Sequence, residues 1–155
     1  NMSRQNIHSV SATPTISTSA YSVGDAVGGL ITLTNALVKV SFSGTIKTVT
    51  LSDASKQNAV IQVTFFSSSP TTATITDNAA LVIPVAELTK VIGTVSIESA
   101  NYSSYSASSF ATVECNLGVK LTGEGSTIYA CLSTDGAPTY ATTSALTLGV
   151  AILQD

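Results

Sequence analysis

The sequence contains a single histidine, His8, which limits the acid–base chemistry available to the chain. A nucleophilic serine of the Ser-His-Asp type needs a general base held beside it. His8 lies in an N-terminal segment that is polar and has no periodicity, and a base on such a segment is not held in register with a nucleophile. We therefore predict no catalytic residue of this kind and interpret His8 as a solvated side chain.

The two cysteines, Cys115 and Cys131, do not have the spacing of a metal site. Neither belongs to a CxxC pair, and neither has a histidine nearby in the sequence. We interpret both as small buried hydrophobic residues. A disulfide between neighbouring strands is the alternative, and it would require an oxidising compartment.

The acidic residues fall singly in predicted turns. Asp25, Asp53, Asp77 and Asp135 are each flanked by polar or small residues, and no Asp-x-Asp-x-Asp ladder of the calcium-loop kind occurs. An aspartate in a turn commonly accepts a hydrogen bond from the backbone two residues further on. We therefore predict no metal site and no cofactor. Carboxylates paired in space for glycoside hydrolysis would be invisible at this level.

The composition favours an interaction module over an enzyme. Of the 155 residues only 10 % are charged, and the formal net charge is −3, so the chain has no basic footprint for nucleic acid or anionic lipid. Ser and Thr account for 46 residues. A monomer of this size normally carries about 25–35 % charged residues on its surface, so we expect partner subunits to cover part of this one. The alternative is that the hydroxyl groups alone keep a monomer soluble.

Alternating Thr, Val, Ile and Ser residues predict strands along most of the chain, because β-branched side chains fit a pleated surface. In the strand at 45–51, this alternation puts Ile46, Thr48 and Thr50 on one face and Lys47, Val49 and Leu51 on the other. A short strand or loop is expected at 37–42. The predicted strands cover residues 13–21, 26–33, 45–51, 59–66, 94–97, 109–117, 127–133 and 145–153.

One segment has a helical pattern. Pro84 precedes Leu88, Val91 and Ile92 at helical spacing, and Gly93 follows as a terminator, so we predict a short helix near 84–92. The longest apolar run, 79–86, is too short and too interrupted by proline to cross a bilayer. We therefore expect no transmembrane segment and no membrane partner.

These elements predict an all-β protein, an antiparallel β-sandwich with a jelly-roll-like arrangement and one short helix. The first twelve residues have no periodicity and are interpreted as an N-terminal arm. Residues 13–155 are expected to form a single sandwich domain.

Four stretches of the sequence resemble a known group of proteins, the small virion proteins encoded by tailed bacteriophages and prophages. The resemblance extends over nearly the whole chain from about Thr13. It implies a head decoration or cement protein, a β-sandwich bound as an oligomer to the outer capsid lattice, and it brings no catalytic residues with it. The stretches are AYSVGDAVGGL at 20–30, TDNAAL at 76–81, GAPTY at 136–140 and GVAILQD at 149–155.

Our leading hypothesis is a non-enzymatic protein of the virion surface that forms a dimer or trimer and binds the major capsid protein. The arm would become ordered on binding. A carbohydrate- or receptor-binding module of a tail fibre or secreted protein is the alternative, with Tyr102, Tyr105, Tyr129 and Tyr140 as an aromatic platform. A hydrolase is a third hypothesis, and it lacks a positioned base. The predicted partner contacts are Met2, Arg4, Ile7, Tyr102 and Tyr105.

Overall fold

Two antiparallel sheets pack face to face in the computed structural model, which describes residues 6–38, 41–123 and 125–155. The large sheet has the strand order β1-β9-β3-β7-β6 and the small sheet the order β2-β8-β4-β5. The prediction of an all-β sandwich is confirmed. The strands are β1 (Ile7–Ala12), β2 (Ile31–Leu33), β3 (Ser43–Asp53), β4 (Ile61–Phe66), β5 (Val91–Ile97), β6 (Tyr102–Ser104), β7 (Ser109–Lys120), β8 (Ile128–Thr134) and β9 (Leu146–Gln154).

The paired strands are nested in the sequence: the first strand pairs with the last, and each further pair lies between the two members of the previous pair. Strand β1 pairs with β9, β2 with β8, β3 with β7 and β4 with β5. Lateral pairing of β3 with β9 and of β4 with β8 then joins these pairs into the two sheets. This is the strand order of a jelly roll, with β6 added at the edge of the large sheet.

The core lies between the sheets and is built by alternation. In β9, Leu146, Leu148, Val150 and Ile152 are buried, while the residues between them face out and are half-buried. Each buried Leu, Val or Ile side chain contributes about 1.5–3 kcal/mol relative to its exposed state. The period of two therefore gives the large sheet one apolar side and one outward side that is free to carry other groups.

A β-bulge corrects the predicted faces of β3. Ile46 is buried together with Val49 and Leu51, because the register shifts between Ile46 and Thr48 in the pairing with both neighbouring strands. The extra residue, Lys47, reverses the alternation, as a bulge does. Strict alternation across 45–51 was therefore the wrong assumption for Ile46.

The prediction of an arm is wrong for residues 7–12. These residues form β1, which pairs with β9 along its whole length, and Val10 and Ala12 pack against the core. The alternation of IHSVSA is hard to recognise because His8 occupies an inward position and the outward positions are small or apolar. Residues 1–5 of the predicted arm lie outside the described residues.

The predicted strands near the N-terminus are also shorter than expected. Residues 13–21 form no strand, and the segment 26–33 is a strand only at β2. Single hydrogen bonds attach this stretch to the far end of the chain, from Ile16 N–H to the Thr143 carbonyl and from Tyr21 N–H to the Pro138 carbonyl, each 3.0 Å. Although its polar residues alternate, this stretch is therefore attached to the fold by separate hydrogen bonds and not by a continuous strand ladder.

The predicted helix is present as a 3₁₀ helix, Val85–Lys90, and a second short 3₁₀ helix covers Ser99–Asn101. Val91, Ile92 and Gly93 belong to strand β5 instead of completing the helix. No helix within the described residues has the length and apolar character needed to cross a membrane.

Three of the four stretches that carry the phage resemblance meet in one buried cluster. The Tyr21 hydroxyl donates to Asp77 Oδ1 at 2.6 Å, and Gly28 N–H donates to the same oxygen at 2.6 Å. The Tyr21 ring packs against Tyr140 with the ring centroids 6.0 Å apart. Gly28 has a φ of 78°, which glycine adopts readily. These residues therefore hold loops together, and they form part of the fold.

We expect Asp77→Ala to lower the free energy of unfolding by at least about 2 kcal/mol, because it leaves two buried donors without their charged acceptor. Denaturant unfolding measures this change. Asp135→Ala is the matched control, since Asp135 is exposed and accepts one bond from Gln62, and it should stay within about 0.5 kcal/mol of the wild type. Equal effects of the two substitutions would show that the cluster has no special structural role.

Candidate interaction surfaces

The structure separates the residues predicted from the sequence to contact a partner. Met2 and Arg4 lie outside the described residues. Ile7 is exposed at the start of β1, opposite Leu153, and Tyr105 is exposed in the turn between β6 and β7. Strands β1 and β6 form opposite edges of the large sheet. Ile7 and Tyr105 therefore do not form a single site.

The predicted platform of four tyrosines is not formed. Tyr140 is buried against Tyr21, and Tyr102 is half-buried with its hydroxyl donating to the Ala59 carbonyl at 2.8 Å. Burial raises the pKa of both phenols above the ordinary tyrosine value. Tyr129 lies half-buried on β8 of the other sheet. Tyr105 is the one exposed member of the set.

A shallow depression lies beside Tyr105. It has a volume of about 460 Å³ and is lined by Tyr105 and Phe110, both exposed aromatic residues, together with serine and threonine side chains of the neighbouring strand ends. Aromatic rings beside hydroxyl groups form a chemistry suited to sugars or to a protein surface. The hydroxyl residues of the lining are Ser52, Ser108, Ser109, Ser144 and Thr147.

Four exposed aliphatic residues lie on two connections, one before β2 and one between β4 and β5, and we call them the aliphatic patch: Val23, Val82, Val85 and Leu88. Their side chains are between 50 % and 83 % exposed. Val85 and Leu88 share one side of the 3₁₀ helix, because residues three apart are eclipsed in that helix. Val23 lies opposite Val82, since Leu81 N–H donates to the Gly24 carbonyl and Asp25 bridges Ala80.

The 3₁₀ helix is turned so that its carboxylate faces inward. Glu87 is only 3 % exposed and accepts a hydrogen bond from the Thr72 hydroxyl at 2.7 Å. Lys90 Nζ lies 3.2 Å from Glu87 Oε2 and also donates to the Ser69 carbonyl at 3.0 Å. These contacts attach the helix to the loop after β4. The orientation that bonds Glu87 to Thr72 and Lys90 leaves Val85 and Leu88 exposed to solvent.

A further surface is the solvent-facing side of β1, β9 and β3, which we call the hydroxyl face. It carries Ser9 and Ser11 from β1, Thr147 from β9, and Thr45, Thr48, Thr50 and Ser52 from β3. No outward side chain of β1 or β9 is ionisable, and Lys47 at the bulge reaches away toward Asn116 of β7. The face is therefore nearly uncharged.

A groove of about 210 Å³ crosses this face above Gly149, between Ser9 and Ser11 on one side and Thr50 on the other. A Cβ at position 149 would collide with the Thr50 hydroxyl. The absence of a side chain at Gly149 therefore keeps the groove open.

The remaining residues with reactive side chains are not assembled into a site within the described part of the chain. His8 is half-buried on the inward side of β1. Cys115 and Cys131 are both free thiols, and burial raises the pKa of Cys131 to about 12. No group of three or more His, Cys, Asp or Glu residues among those described is placed to hold a metal ion.

Sequence reasoning missed the aliphatic patch and the strand edge at β1. The patch had a recognisable signal, since Val85 and Leu88 are three residues apart, whereas the prediction grouped Leu88 with Val91 and Ile92 at α-helical spacing. A 3₁₀ helix has three residues per turn, so it groups Val85 with Leu88 and separates both from Glu87. The burial of Glu87, which accepts a hydrogen bond from Thr72 fifteen residues earlier in the chain, could not be read from spacing alone.

No protein-family model matches this chain, and no curated protein is significantly similar to it. The resemblance to phage virion proteins is therefore a hypothesis to be tested by experiment, and the surfaces described above have to be interpreted by their own chemistry.

We expect Glu87→Gln to remove part of the acid sensitivity of the fold. The Thr72 hydroxyl bond, with Lys90 nearby, lowers the pKa of Glu87 below its ordinary value. A carboxylate whose pKa is lower in the folded state adds stability above its unfolded pKa of about 4.3, and this stability is lost as the pH falls through the folded value. The wild type should therefore exceed the variant in unfolding free energy at pH 7, and the gap should narrow below pH ~4.

Glu114→Gln is the control for this experiment, because Glu114 is exposed on β7. It should show no such pH-dependent gap. A Glu87→Gln gap that is the same at pH 7 and at acid pH would contradict the assignment of a charged, bonded Glu87.

Proposed function

We propose that this chain is a structural virion protein, a decoration protein that binds the major capsid protein on the outer surface of a phage head and stabilises contacts between capsid subunits. The observation that carries the proposal is the aliphatic patch. Large exposed apolar patches mark protein interaction surfaces. Val85 and Leu88 share one side of a 3₁₀ helix that Glu87 and Lys90 attach to the loop after β4, and Val23 lies opposite Val82, three residues before Val85.

Burial of the patch against a partner gives a substantial driving force. Each Val or Leu side chain that becomes fully buried contributes about 1.5–3 kcal/mol, of which part offsets the entropy lost on association. Because Val85 and Leu88 belong to a helix fixed by Glu87 and Lys90, ordering them on binding has a small entropic cost. The patch is therefore pre-organised for a matching apolar surface.

The distribution of charge supports the same function. Charged residues are depleted at the centres of protein interfaces, and this chain has 10 % charged residues in total. A protein that remains attached to a shell of other subunits has less need of surface charge than one that stays soluble on its own. The phage resemblance of the sequence agrees with this assignment.

The test is binding of the purified protein to heads of the source phage that lack it. We expect Val85→Asp and Leu88→Asp each to weaken binding by about tenfold or more, because each places a charge in an apolar contact. Ser68→Asp is the matched control, since Ser68 is exposed on the same connection and lies outside the patch. Binding is measured by sedimentation with the heads, and thermal melting of each variant checks that it is folded.

Undiminished occupancy by the Val85→Asp and Leu88→Asp variants would contradict the docking surface. Heads that are equally resistant to heat with and without the protein would contradict the stabilising role. Loss of binding by all three variants, Ser68→Asp included, would indicate a general effect of charge and no specific patch.

A second candidate function is carbohydrate or receptor binding at the depression beside Tyr105. The exposed rings of Tyr105 and Phe110 next to several hydroxyl groups favour it. We expect the wild type to bind at least one sugar on a glycan array if this function is correct, and Tyr105→Ala to abolish that signal. An array without any binding removes this candidate and leaves the capsid proposal untouched.

A further inference from the structure

Among the described residues, no strand or loop pairs with the backbone groups on the outer edge of strand β1. Gln154 N–H donates to the Asn6 carbonyl at 2.8 Å, which identifies Asn6 and Gln154 as a hydrogen-bonded pair of the antiparallel ladder. Such pairs alternate along a strand. His8, Val10 and Ala12 therefore direct their N–H and C=O groups toward β9, whereas Ile7, Ser9 and Ser11 direct theirs away from the sheet.

This edge lacks the features that usually prevent strands from pairing between molecules. Proteins protect edges with prolines, lysines, bulges or very short strands. Strand β1 has six residues without proline, lysine or acid, and its pairing with β9 runs without a register shift. The other edges of the sandwich differ: β2 and β6 have three residues each, and the pairing of β5 with β4 contains a bulge.

We propose that β1 is a dimerisation edge and that its partner is β1 of a second copy of this chain, paired antiparallel across a two-fold axis. The inference goes beyond the proposed function, because it names an interface that does not depend on a capsid. The two large sheets would join into one continuous sheet, and the two hydroxyl faces would lie side by side on it.

The register of the pairing follows from which groups are free. With Ser9 opposite Ser9 of the other copy, Ile7 stands opposite Ser11. Ile7, Ser9 and Ser11, whose backbone groups point away from β9, then all form hydrogen-bonded pairs, with about six bonds in total. A shift of two residues in either direction leaves only two such pairs within β1. The Ser9 register therefore satisfies the largest number of free groups.

The side chains of β1 are compatible with a second copy in this register. A strand that pairs with itself brings equivalent or nearby positions together, so any charge on the edge would meet a like charge. The outward residues Ile7, Ser9 and Ser11 carry none, and on the inward side His8 stands opposite Val10 and not opposite another His8. The serine pair on the axis is small enough for the strands to approach to the normal spacing.

Position 9 provides a charge test that is specific for this register. Wild-type protein without heads should sediment as a dimer at micromolar concentration. Ser9→Lys and Ser9→Glu should each weaken dimerisation by about tenfold or more, because like charges then face each other across the axis. An equimolar mixture of the two variants should form dimers again, because a lysine then faces a glutamate.

Thr112→Lys is the matched control, since Thr112 is an exposed outward residue on β7 of the same sheet. It should dimerise like the wild type. Thermal melting should show that all of the variants are folded, because none of these side chains points into the core.

A cysteine cross-link gives a second readout that does not depend on charge. The Cα atoms of a hydrogen-bonded antiparallel pair are about 5.5 Å apart, within the range that a disulfide spans. Ser9→Cys should therefore give a covalent dimer on mild oxidation, whereas Thr112→Cys and the wild type, which retains Cys115 and Cys131, should not.

A wild type that sediments as a monomer or as a trimer overturns the proposal. So does a Ser9→Lys variant that dimerises like the wild type, or a Ser9→Cys variant that forms no covalent dimer. Because no heads are used, these results are independent of whether the aliphatic patch binds a capsid.

Discussion

The antiparallel pairing of β9 with β1 on one side and β3 on the other is the interaction on which the rest of the structure depends. It closes the nested pairs into a jelly roll, and its period of two sends Leu148, Val150 and Ile152 into the core. The same period places small and hydroxyl side chains outside. The pairing of β9 with β1 also decides which backbone groups of β1 point away from β9. The core, the hydroxyl face and the free edge therefore have a single geometric cause.

The connections around the small sheet depend on two bonded carboxylates, the half-buried Asp77 and the buried Glu87. Asp77 joins Tyr21 and Gly28, and Glu87 joins Thr72 and Lys90, so that long irregular connections are fixed to one another. An acid that is buried and bonded in this way restricts the orientation of its element. At the 3₁₀ helix this restriction turns Val85 and Leu88 outward. The aliphatic patch and the outer edge of β1 thus lie on different layers of the sandwich and are available to different partners.

The sequence was most informative where alternation was regular and least informative where distant residues decide the local structure. Strands β4, β7, β8 and β9 follow from alternating or continuous apolar residues, and the sandwich follows from them. The bulge at Lys47, the inward Glu87 and the burial of Tyr140 each depend on a partner far away in the chain. The strand at β1 was missed because only β9 makes its weak alternation meaningful. The candidate surfaces therefore required coordinates, whereas the fold class did not.

The most direct test of the proposal that this sandwich acts by binding other subunits is an image reconstruction of the phage particle that the proposed function assigns as its source. The account predicts density for the jelly roll on the outside of the head, with the Val85–Leu88 side of the molecule against the capsid and neighbouring copies joined along β1. A reconstruction in which the head surface has no such density, or in which that side of the molecule faces solvent, would contradict it.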